Sequence, residues 1–216
     1  MSKLTIFDLD NTLLAGDSDR AWGQYLVERR IVSDDFLVES ESFYNNYYDG
    51  DLDIDRFLAF CLKPLMQNKL SELLDLRKDF IKDKIIPMML DKAIETVELK
   101  KSEGPVIIAT ATNSFVTRPI ADLFEIKDLV ATEFVIKDNE FTGEVEGIPC
   151  FREGKVKKVE EWVKKRGCGL SNATFYSDSF NDLPLLQKVE TPIVVDGDEK
   201  LIKQAKENDW KCISFR

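Results

Sequence analysis

Two aspartates follow the first apolar segment of the chain at a spacing of two residues. In the stretch LTIFDLDNT, Asp8 and Asp10 come directly after Leu4, Ile6 and Phe7. Residues two apart in a strand point to the same side, so both carboxylates are expected to project together where the strand ends. Neighbouring carboxylates raise each other's pKa unless a cation lies between them or they share a proton. The pair indicates a metal site or an acid and base pair; an isolated D-x-D motif would also fit a solvated acidic turn.

The chain of 216 residues contains no histidine. This absence excludes Ser-His-Asp and Cys-His mechanisms as well as imidazole metal sites, so acid and base chemistry at neutral pH falls to carboxylates or lysines. The four cysteines are widely spaced and form no C-x-x-C motif: Cys61, Cys150, Cys168 and Cys212. Their spacing predicts neither a zinc site nor a disulfide framework, and we interpret them as reduced thiols.

The composition is typical of a soluble globular protein, with 44% apolar and 32% charged residues. A net charge of −10, without a long basic cluster, argues against non-specific nucleic-acid binding. The start MSKLTIFDLD lacks the charged and apolar regions of a secretory signal, and no apolar run approaches the ~20 residues that span a bilayer. We therefore expect no membrane partner and a cytoplasmic location.

The elements that must position the aspartates follow from the apolar spacing. After Leu14 the spacing is helical for about seventy residues, with breaks near Val32, Gly50 and Pro64. Pro87 then opens a helix expected over residues 88–103, and strands alternate with helices from there. Further strands are predicted at 106–110, 129–136, 140–146, 174–177, 192–195 and 211–215, and further helices at 115–124, 155–166, 182–189 and 200–208.

This alternation predicts an α/β fold with a doubly wound, Rossmann-like parallel sheet as its core. Residues 1–14 and 87–216 are assigned to that core, and residues 15–86 to an all-helical cap domain inserted after the first strand. Ligands of doubly wound sheets bind outside the carboxyl ends of the strands. Those ends and one helix start carry oxygen, amide and ammonium groups: Asp8, Asp10, Thr110, Ala111, Thr112, Lys155, Asp178, Asn181 and Asp182. The set predicts a magnesium and phosphate site, because hard oxygens suit the metal and N–H, hydroxyl and ammonium groups suit phosphoryl oxygens.

Four short motifs occur in order along the chain: DLDNT, IIAT, GK and SDSFND. With them the whole chain resembles the haloacid dehalogenase superfamily of aspartate-dependent phosphatases, in the helical-cap branch that includes phosphoserine phosphatase. The resemblance implies that Asp8 is the nucleophile that forms an aspartyl-phosphate, and that Asp10 acts first as acid and then as base. It also implies Mg²⁺ as cofactor, held by Asp8, the Asp10 backbone carbonyl and Asp178, with Asp182 in the outer shell.

The same resemblance implies the groups that contact the substrate. Thr110 and the Ala111 N–H are expected to bind phosphoryl oxygens, Lys155 to neutralise them and Asn181 to orient the group, and Leu9 is also expected at the substrate. The implied reaction is hydrolysis of a small soluble phosphomonoester, and phosphoserine is one possible substrate.

The chain departs from phosphoserine phosphatases at several positions. Ala111, Thr112 and Ser177 stand where those members tend to have glycine, and their acid and arginine pair for the serine head group has no secure counterpart. The stretch GDSDRAW instead resembles a sister group of small bacterial phosphatases with the same cap. Four charged residues at the cap entrance and within the cap are expected to set selectivity: Asp17, Asp19, Arg20 and Arg56. Solvated surface charges are the alternative.

Two other functions fit parts of the pattern. A phosphotransferase or mutase would use the same aspartyl-phosphate but shield it from water, and a turnover assay with an added acceptor separates it from a hydrolase. A phospho-acceptor signalling module also combines acidic residues, a hydroxyl and a lysine around magnesium. Asp10 is placed to activate water, and a helical insertion has no place in a compact receiver, so the hydrolase is favoured. The oligomeric state stays open.

Overall fold

The strands of the protein form one seven-stranded sheet. The structure, a computed structural model, describes residues 3–216. The strands are β1 Leu4–Phe7, β2 Val106–Asn113, β3 Asp128–Lys137, β4 Glu140–Glu146, β5 Ala173–Ser177, β6 Thr191–Val195 and β7 Lys211–Ile213. Their order across the sheet is β4-β3-β2-β1-β5-β6-β7. β1 pairs in parallel with both β2 and β5, so the carboxyl ends of these three central strands lie side by side.

β3 and β4 form the one antiparallel pair of this sheet within residues 3–216. They are joined by Asp138 and Asn139, which both adopt positive φ, 51° and 64°. Two positive φ angles in a two-residue loop give a tight hairpin, whereas a parallel neighbour needs a long crossover connection. The predicted doubly wound parallel sheet is confirmed, and β4 extends it as an antiparallel edge strand.

Four helices follow β1 before the chain returns to the core, which confirms the predicted helical insertion. They are α1 Ser18–Glu28, α2 Asp35–Asp49, α3 Ile54–Met66 and α4 Leu70–Phe80. Asp17 caps the first turn of α1 by accepting a hydrogen bond from the Arg20 N–H at 2.8 Å. Gly50 ends α2 with a φ of 90°, a conformation that favours glycine. The core contributes α5 Asp91–Glu103, α6 Ser114–Leu123, α7 Glu153–Arg166, α8 Leu183–Leu186 and α9 Glu199–Glu207.

Several predicted boundaries are wrong. Pro64 lies inside α3, where it is buried near the helix end and its missing N–H removes a single hydrogen bond. The helix expected from Met88 begins at Asp91, because Ile86–Met88 form a separate 3₁₀ turn. The helix expected over 182–189 is reduced to α8, which follows another 3₁₀ turn. The strand expected to end at Thr110 continues to Asn113.

Apolar side chains are buried on both faces of the sheet, as the alternation along β1 requires, since Ile6 and Phe7 belong to different clusters. One cluster extends into the helical insertion. Trp22 of α1 packs edge to face against Phe115 of α6, with ring centroids 5.9 Å apart. The insertion therefore packs beside the carboxyl edge of the sheet. No helix among residues 3–216 is both long enough and apolar enough to cross a membrane.

The two connections between sheet and insertion lie next to each other. Leu14 and Met89 form an isolated antiparallel bridge, and the Ala15 N–H donates to the Met88 carbonyl at 2.7 Å. The chain thus leaves the sheet after β1 and returns before α5 at nearly the same place.

Candidate active site

The candidate site lies where the three central strands end. Asp8 follows β1, Thr110 lies near the end of β2, and Asp178 follows β5. The Asp8 N–H donates to the Tyr176 carbonyl at 2.9 Å, which holds the first aspartate against β5. The first turn of α7 presents Lys155 to the same edge. Parallel pairing thus brings together residues that are far apart in the chain.

Lys155 is the central cation of the site. Its ammonium lies 3.0 Å from Asp8 Oδ1 and 2.6 Å from Asp182 Oδ1. All three side chains are at least nine-tenths buried. Ser177 Oγ donates to the other Asp182 oxygen at 2.7 Å, so Asp182 is held on both sides. The lysine expected to neutralise a phosphate therefore also neutralises two carboxylates.

Asp10 is held through both of its carboxylate oxygens. The Ser18 N–H donates to Oδ1 at 2.6 Å, and Thr112 Oγ1 donates to Oδ2 at 2.7 Å. Burial raises the pKa of Asp10 to about 7, and repulsion from Asp17 adds to the rise. A carboxyl group with this pKa can give and take a proton near neutral pH.

The carboxylates around Lys155 outnumber the positive charge. Burial raises the pKa of Asp8 to about 7; Lys155 opposes this rise, and repulsion from Asp182 and Asp10 adds to it. Burial and repulsion from Asp8 and Asp182 also raise the pKa of Asp178 well above its usual range. Burial alone would lower the pKa of Lys155, but Asp182 and Asp8 raise it well above the ordinary lysine value. The cluster therefore has a deficit of positive charge.

The donor chemistry of this cluster fits a magnesium ion. Carboxylate oxygens are ligands that Mg²⁺ prefers, and a divalent cation would offset the excess negative charge. Among residues 3–216, no three His, Cys, Asp or Glu side chains are grouped so as to hold a metal by themselves. Side chains here would therefore supply only part of a coordination shell, and Mg²⁺ commonly completes its shell with water and carbonyl oxygens. Thr12 Oγ1 donates to Asp178 Oδ1 at 3.1 Å and orients that carboxylate.

The residues expected to bind the phosphoryl group lie around Asp8. Thr110 is buried, and its Oγ1 accepts a hydrogen bond from the Thr112 N–H at 3.2 Å. Thr110, Ala111 and Asn181 all line the same cavity as Asp8. The Leu9 side chain is fully buried in the apolar core, so only its backbone is available to a substrate.

This cavity is small and is covered by the insertion. Its volume is about 60 Å³, enough for a few water molecules. The floor is polar, with Asp8, Asp10 and Lys155, whereas the roof is largely apolar and aromatic: Phe43, Tyr44, Tyr47, Leu52, Ile54 and Phe57. The insertion therefore limits the space above the three polar residues of the floor.

Two further aspartates line the cavity on the insertion side. Asp17 caps α1, and burial raises its pKa to about 6. Asp19 is 9% exposed and accepts weak hydrogen bonds at 3.4 Å from Asn113 Nδ2 and Cys61 Sγ. Burial and repulsion from Asp10 raise the pKa of Asp19 to about 7. Neither aspartate takes part in an ion pair among residues 3–216.

The structure does not bring the two candidate arginines to the cavity. Arg20 pairs with Glu41 at 2.5 Å on the surface, its guanidinium lies over the Tyr44 ring, and it does not line the cavity that contains Asp8. Arg56 is exposed in the first turn of α3. These positions do not support the expectation that either arginine contacts a substrate. Residues on different sides of a helix contact different parts of the protein, and neither arginine is on a side that lines the cavity.

Three residues gain contacts that the sequence did not reveal. Thr112 belongs to β2, which continues past its predicted end at Thr110, and so its hydroxyl reaches Asp10. Arg152 Nε donates to Asn181 Oδ1 at 2.9 Å. Tyr47 of α2 places its hydroxyl 2.8 Å from Ser179 Oγ. The sequence signal for Tyr47 was the aromatic cluster of Phe43, Tyr44, Tyr47 and Tyr48, for which packing between helices was the favoured interpretation.

An acidic site with one buried lysine, at the carboxyl edge of a doubly wound sheet and under a helical insertion, defines a capped hydrolase. The family model for haloacid dehalogenase-like hydrolases matches residues 5–187. The chain belongs to this family.

Similar proteins narrow the class to phosphatases. A protein from Neisseria meningitidis serogroup C (strain 8013) named histidinol-phosphatase is 38% identical over 100% of both chains. Phosphoserine phosphatase SerB1 of Mycobacterium tuberculosis (strain ATCC 25618 / H37Rv) is 26% identical, with 100% of this chain aligned to 72% of that protein. The chain is accordingly a phosphatase of the family, as the sequence resemblance predicted.

Solved structures share the whole fold. A protein of unknown function from Bordetella pertussis Tohama I has a TM-score of 0.91 and 34% identity, over 100% of both chains. A substrate-bound phosphoserine phosphatase has a TM-score of 0.72 at 20% identity, over 99% of this chain and 93% of that chain. The second similarity concerns the fold alone.

Proposed function

We propose that the protein is a magnesium-dependent phosphatase that hydrolyses a small, cationic phosphomonoester through an aspartyl-phosphate on Asp8. The observation that carries the proposal is the environment of Asp8. Its carboxylate is buried on the floor of a covered cavity, with one oxygen held by Lys155 at 3.0 Å and with Asp10 two residues further on. A held carboxylate next to a group with a pKa near neutrality suits nucleophilic catalysis followed by hydrolysis.

In the first step, Asp8 attacks phosphorus. Lys155 holds Oδ1, so we assign the attack to Oδ2. The bond from Oδ2 to phosphorus forms, the bond from phosphorus to the ester oxygen breaks, and Asp10 gives its proton to the leaving oxygen. Asp10 carries this proton on Oδ2, because Oδ1 already accepts a short hydrogen bond from the Ser18 N–H.

In the second step, the now ionised Asp10 removes a proton from water. The water oxygen bonds to phosphorus, the bond between Asp8 and phosphorus breaks, and inorganic phosphate leaves. The Thr112 hydroxyl can donate to ionised Asp10 and accept from protonated Asp10, so it serves both steps. Thr110, the N–H groups of Leu9 and Ala111, Lys155 and Asn181 would hold the phosphoryl oxygens.

Magnesium would be held by Asp8, Asp178 and the Asp10 carbonyl, with Asp182 in the outer shell. The ion would neutralise the carboxylate cluster and the phosphate, so that an anion can attack an anion. Thr12 and Ser177 orient Asp178 and Asp182 for this purpose.

Residues 15–86 would act as a mobile cap on a core formed by residues 1–14 and 87–216. The adjacent connections at Leu14 and Met89 support this division, because a single hinge region can then move the whole insertion. Opening would admit the ester to the small cavity, and closure would exclude bulk water from the aspartyl-phosphate. A cytoplasmic location stays a prediction.

The leaving group would carry positive charge. Asp17, which is half-buried, and Asp19, which is buried, line the cavity and have no ion pair among residues 3–216, and Tyr44 and Phe57 line the same cavity. A cation in this space would pair with both carboxylates and would lower their raised pKa values. The cation of an amine or imidazole fits, and histidinol phosphate is the first candidate because the relative named histidinol-phosphatase is similar over the whole chain.

Phosphoserine fits the same space less well. Its amine would suit the aspartates, but its carboxylate needs a positive partner. Lys155 is the one basic residue that lines the cavity among the described residues, and it is already bound to Asp8 and Asp182. Arg20 and Arg56 lie outside, so a carboxylate head group would remain unpaired at a cost of about 1–3 kcal/mol or more.

The test is phosphate release from L-histidinol phosphate, O-phosphoserine, glycerol phosphate and p-nitrophenyl phosphate, with magnesium present. We expect the highest kcat/KM on histidinol phosphate. An added alcohol acceptor reports on the competing transferase reaction, which would form a new ester in place of inorganic phosphate. No turnover of any of the four esters would contradict the proposal.

Asp19→Asn tests the head-group site, and Asp51→Asn is its matched control. Loss of one charge contact should lower kcat/KM on histidinol phosphate by about 10-fold or more, and on p-nitrophenyl phosphate by less than about 3-fold. Asp51→Asn, at an exposed position outside the cavity, should change neither value. Equal losses on both esters would mean that the aspartate does not recognise the leaving group.

A further inference from the structure

The carboxyl-terminal end of α2 in the insertion is bound by donors from the core. Four consecutive carbonyls, those of Tyr47 to Gly50, accept hydrogen bonds. Asn181 Nδ2 donates to Tyr47 O at 3.2 Å, and Lys200 Nζ donates to the carbonyls of residues 48 and 49 at 2.7 and 3.1 Å. Arg152 donates to Gly50 O at 2.5 Å. The last carbonyls of a helix lack partners within the helix and carry its negative dipole end, so cations bind there favourably.

Arg152 differs from Lys200 because it also contacts the candidate active site. One nitrogen of its guanidinium binds Gly50 of the insertion, while Nε donates to Asn181 Oδ1 at 2.9 Å. Arginine has donors but no acceptors, so the Asn181 atom that faces Nε must be the amide oxygen. The Asn181 nitrogen is thereby turned toward Tyr47 O at 3.2 Å and Ser179 Oγ at 3.5 Å, and Asn181 lines the cavity that contains Asp8. Arg152 thus determines the orientation of the Asn181 amide group.

The backbone of Arg152 adopts a conformation that is costly for this residue type. Its φ is 49° and its ψ is −120°, a region that costs a non-glycine residue on the order of 1–3 kcal/mol. The turn around it is tight: a Cβ on Gly154 would lie 2.1 Å from the Pro149 carbonyl oxygen. The same turn starts α7 and presents Lys155. Glycine would be unstrained at position 152, so an arginine there, with two hydrogen bonds across the site, points to a role of its side chain.

We propose that Arg152 is a positioning residue that couples closure of the insertion to the orientation of Asn181. The inference rests on the proposed phosphatase function. In the closed form, Arg152 binds the end of α2 and fixes the Asn181 amide nitrogen, one hydrogen of which would bind a phosphoryl oxygen in place of the long contact with Ser179 Oγ. When α2 moves away, the guanidinium of Arg152 loses its partner Gly50 O. The Asn181 amide then loses Tyr47 O and is no longer held in one orientation by Arg152. The phosphate subsite is then complete only while the site is covered.

The experiment compares Arg152→Gly, Asn181→Ala and the double variant, with p-nitrophenyl phosphate as substrate and inorganic phosphate as inhibitor. Arg152→Gly removes the side chain and relieves the positive φ, so the relieved strain offsets the two lost hydrogen bonds and its thermal unfolding should stay close to that of the wild type. We expect each single variant to lose about 10-fold to 100-fold in kcat/KM and to bind inorganic phosphate more weakly. The double variant should lose no more than about 2-fold beyond the worse single variant, because both substitutions remove the same function.

Lys200→Ala is the control for docking of α2, since Lys200 binds the same helix end but not Asn181. We expect it to lose less than about 3-fold. Equal losses in Lys200→Ala and Arg152→Gly, or a double variant that loses the product of the two single losses, would overturn the proposal. If the wild type released no phosphate from any ester, the phosphatase proposal would fail. The affinities of the wild type, the two single variants and the double variant for inorganic phosphate, measured by calorimetry, would then still decide the role of Arg152.

Discussion

Thr112 Oγ1 lies 2.7 Å from Asp10 Oδ2 and joins the end of β2 to the loop after β1, across 102 positions of the chain. The opposite oxygen of Asp10 accepts from the Ser18 N–H at 2.6 Å. A backbone N–H can only donate, whereas a hydroxyl can donate or accept. The proton of Asp10 therefore belongs on the side of Thr112, where the hydroxyl adapts to either protonation state.

Thr112→Val tests this relationship. Valine keeps the shape of threonine but removes the hydroxyl, so protonated Asp10 loses its partner. We expect kcat to fall by about 10-fold to 100-fold with little change in KM, and the pH profile of kcat to shift. Thr112→Ser keeps the hydroxyl and should stay within about 3-fold of the wild type. Wild-type kcat and pH profile in Thr112→Val would show that the hydroxyl is not needed.

The Asp8→Asn and Asp10→Asn variants should have different kinds of catalytic defect. Asp8→Asn removes the nucleophile, and we expect neither turnover nor a phosphorylated protein. Asp10→Asn should slow both steps, and with p-nitrophenyl phosphate, which needs little acid assistance, an aspartyl-phosphate should accumulate. Mass spectrometry of acid-quenched protein measures both outcomes. Residual turnover by Asp8→Asn, in a preparation free of wild-type enzyme, would remove Asp8 as the nucleophile.

Magnesium should be required for activity and should also stabilise the fold. Chelation is expected to abolish phosphate release, and calcium is expected to inhibit, because its larger and less regular shell allows Asp8 to bind through both oxygens. In calorimetry without substrate, Mg²⁺ should raise the Tm by offsetting the repulsion among Asp8, Asp178 and Asp182. Asp178→Asn should reduce this rise in Tm, whereas Asp51→Asn should not. Full activity after exhaustive chelation would argue against a metal.

Asp19 should make the protein less stable as the pH rises. Burial, with repulsion from Asp10, raises its pKa in the folded state from 3.8 to about 7. The folded state therefore binds more protons than the unfolded state between these values, so the contribution of Asp19 to stability is highest below pH 4 and is lost as the pH rises through 7. The effect is up to about 4 kcal/mol.

Asp19→Asn removes this titration and checks it. The variant should unfold at higher temperature than the wild type at pH 8, and the difference should shrink as the pH falls toward 4. Asp51→Asn, at an exposed position, should show no such trend. A constant difference between Asp19→Asn and the wild type at all pH values would show that packing, not charge, explains it. Greater stability together with weaker selection of a cationic ester would identify a carboxylate kept for function at a cost to stability.

The meeting of Asp8, Lys155 and Asp182 could be expected from the sequence. Buried apolar segments predict strands, and parallel strands place their carboxyl ends at one edge. Each residue lies just beyond a strand or at a helix start, so few alternatives remain. The helical insertion was predictable for the same reason, because helical spacing continues without a strand between β1 and β2.

Contacts that depend on tertiary packing could not be predicted. Arg20 lies one residue from Asp19, yet it turns toward Glu41 on the surface while the aspartate faces the cavity. Which of two neighbours faces inward is decided by how α1 packs on the core. No pattern in the sequence points to Arg152, because its proposed role depends on a positive φ and on a contact with the distant Gly50.

The bridge between Leu14 and Met89 has a consequence for how such enzymes diversify. Opposed residues of an antiparallel pair have Cα atoms only about 5 Å apart, so the ends of the insertion almost touch. A segment with adjacent ends can be exchanged for another without disturbing its host. Under the proposed function, the edge of the sheet that carries Asp8 and the insertion that covers it would then be separate units of inheritance. Replacing the insertion while preserving the sheet would give a related chain a new substrate.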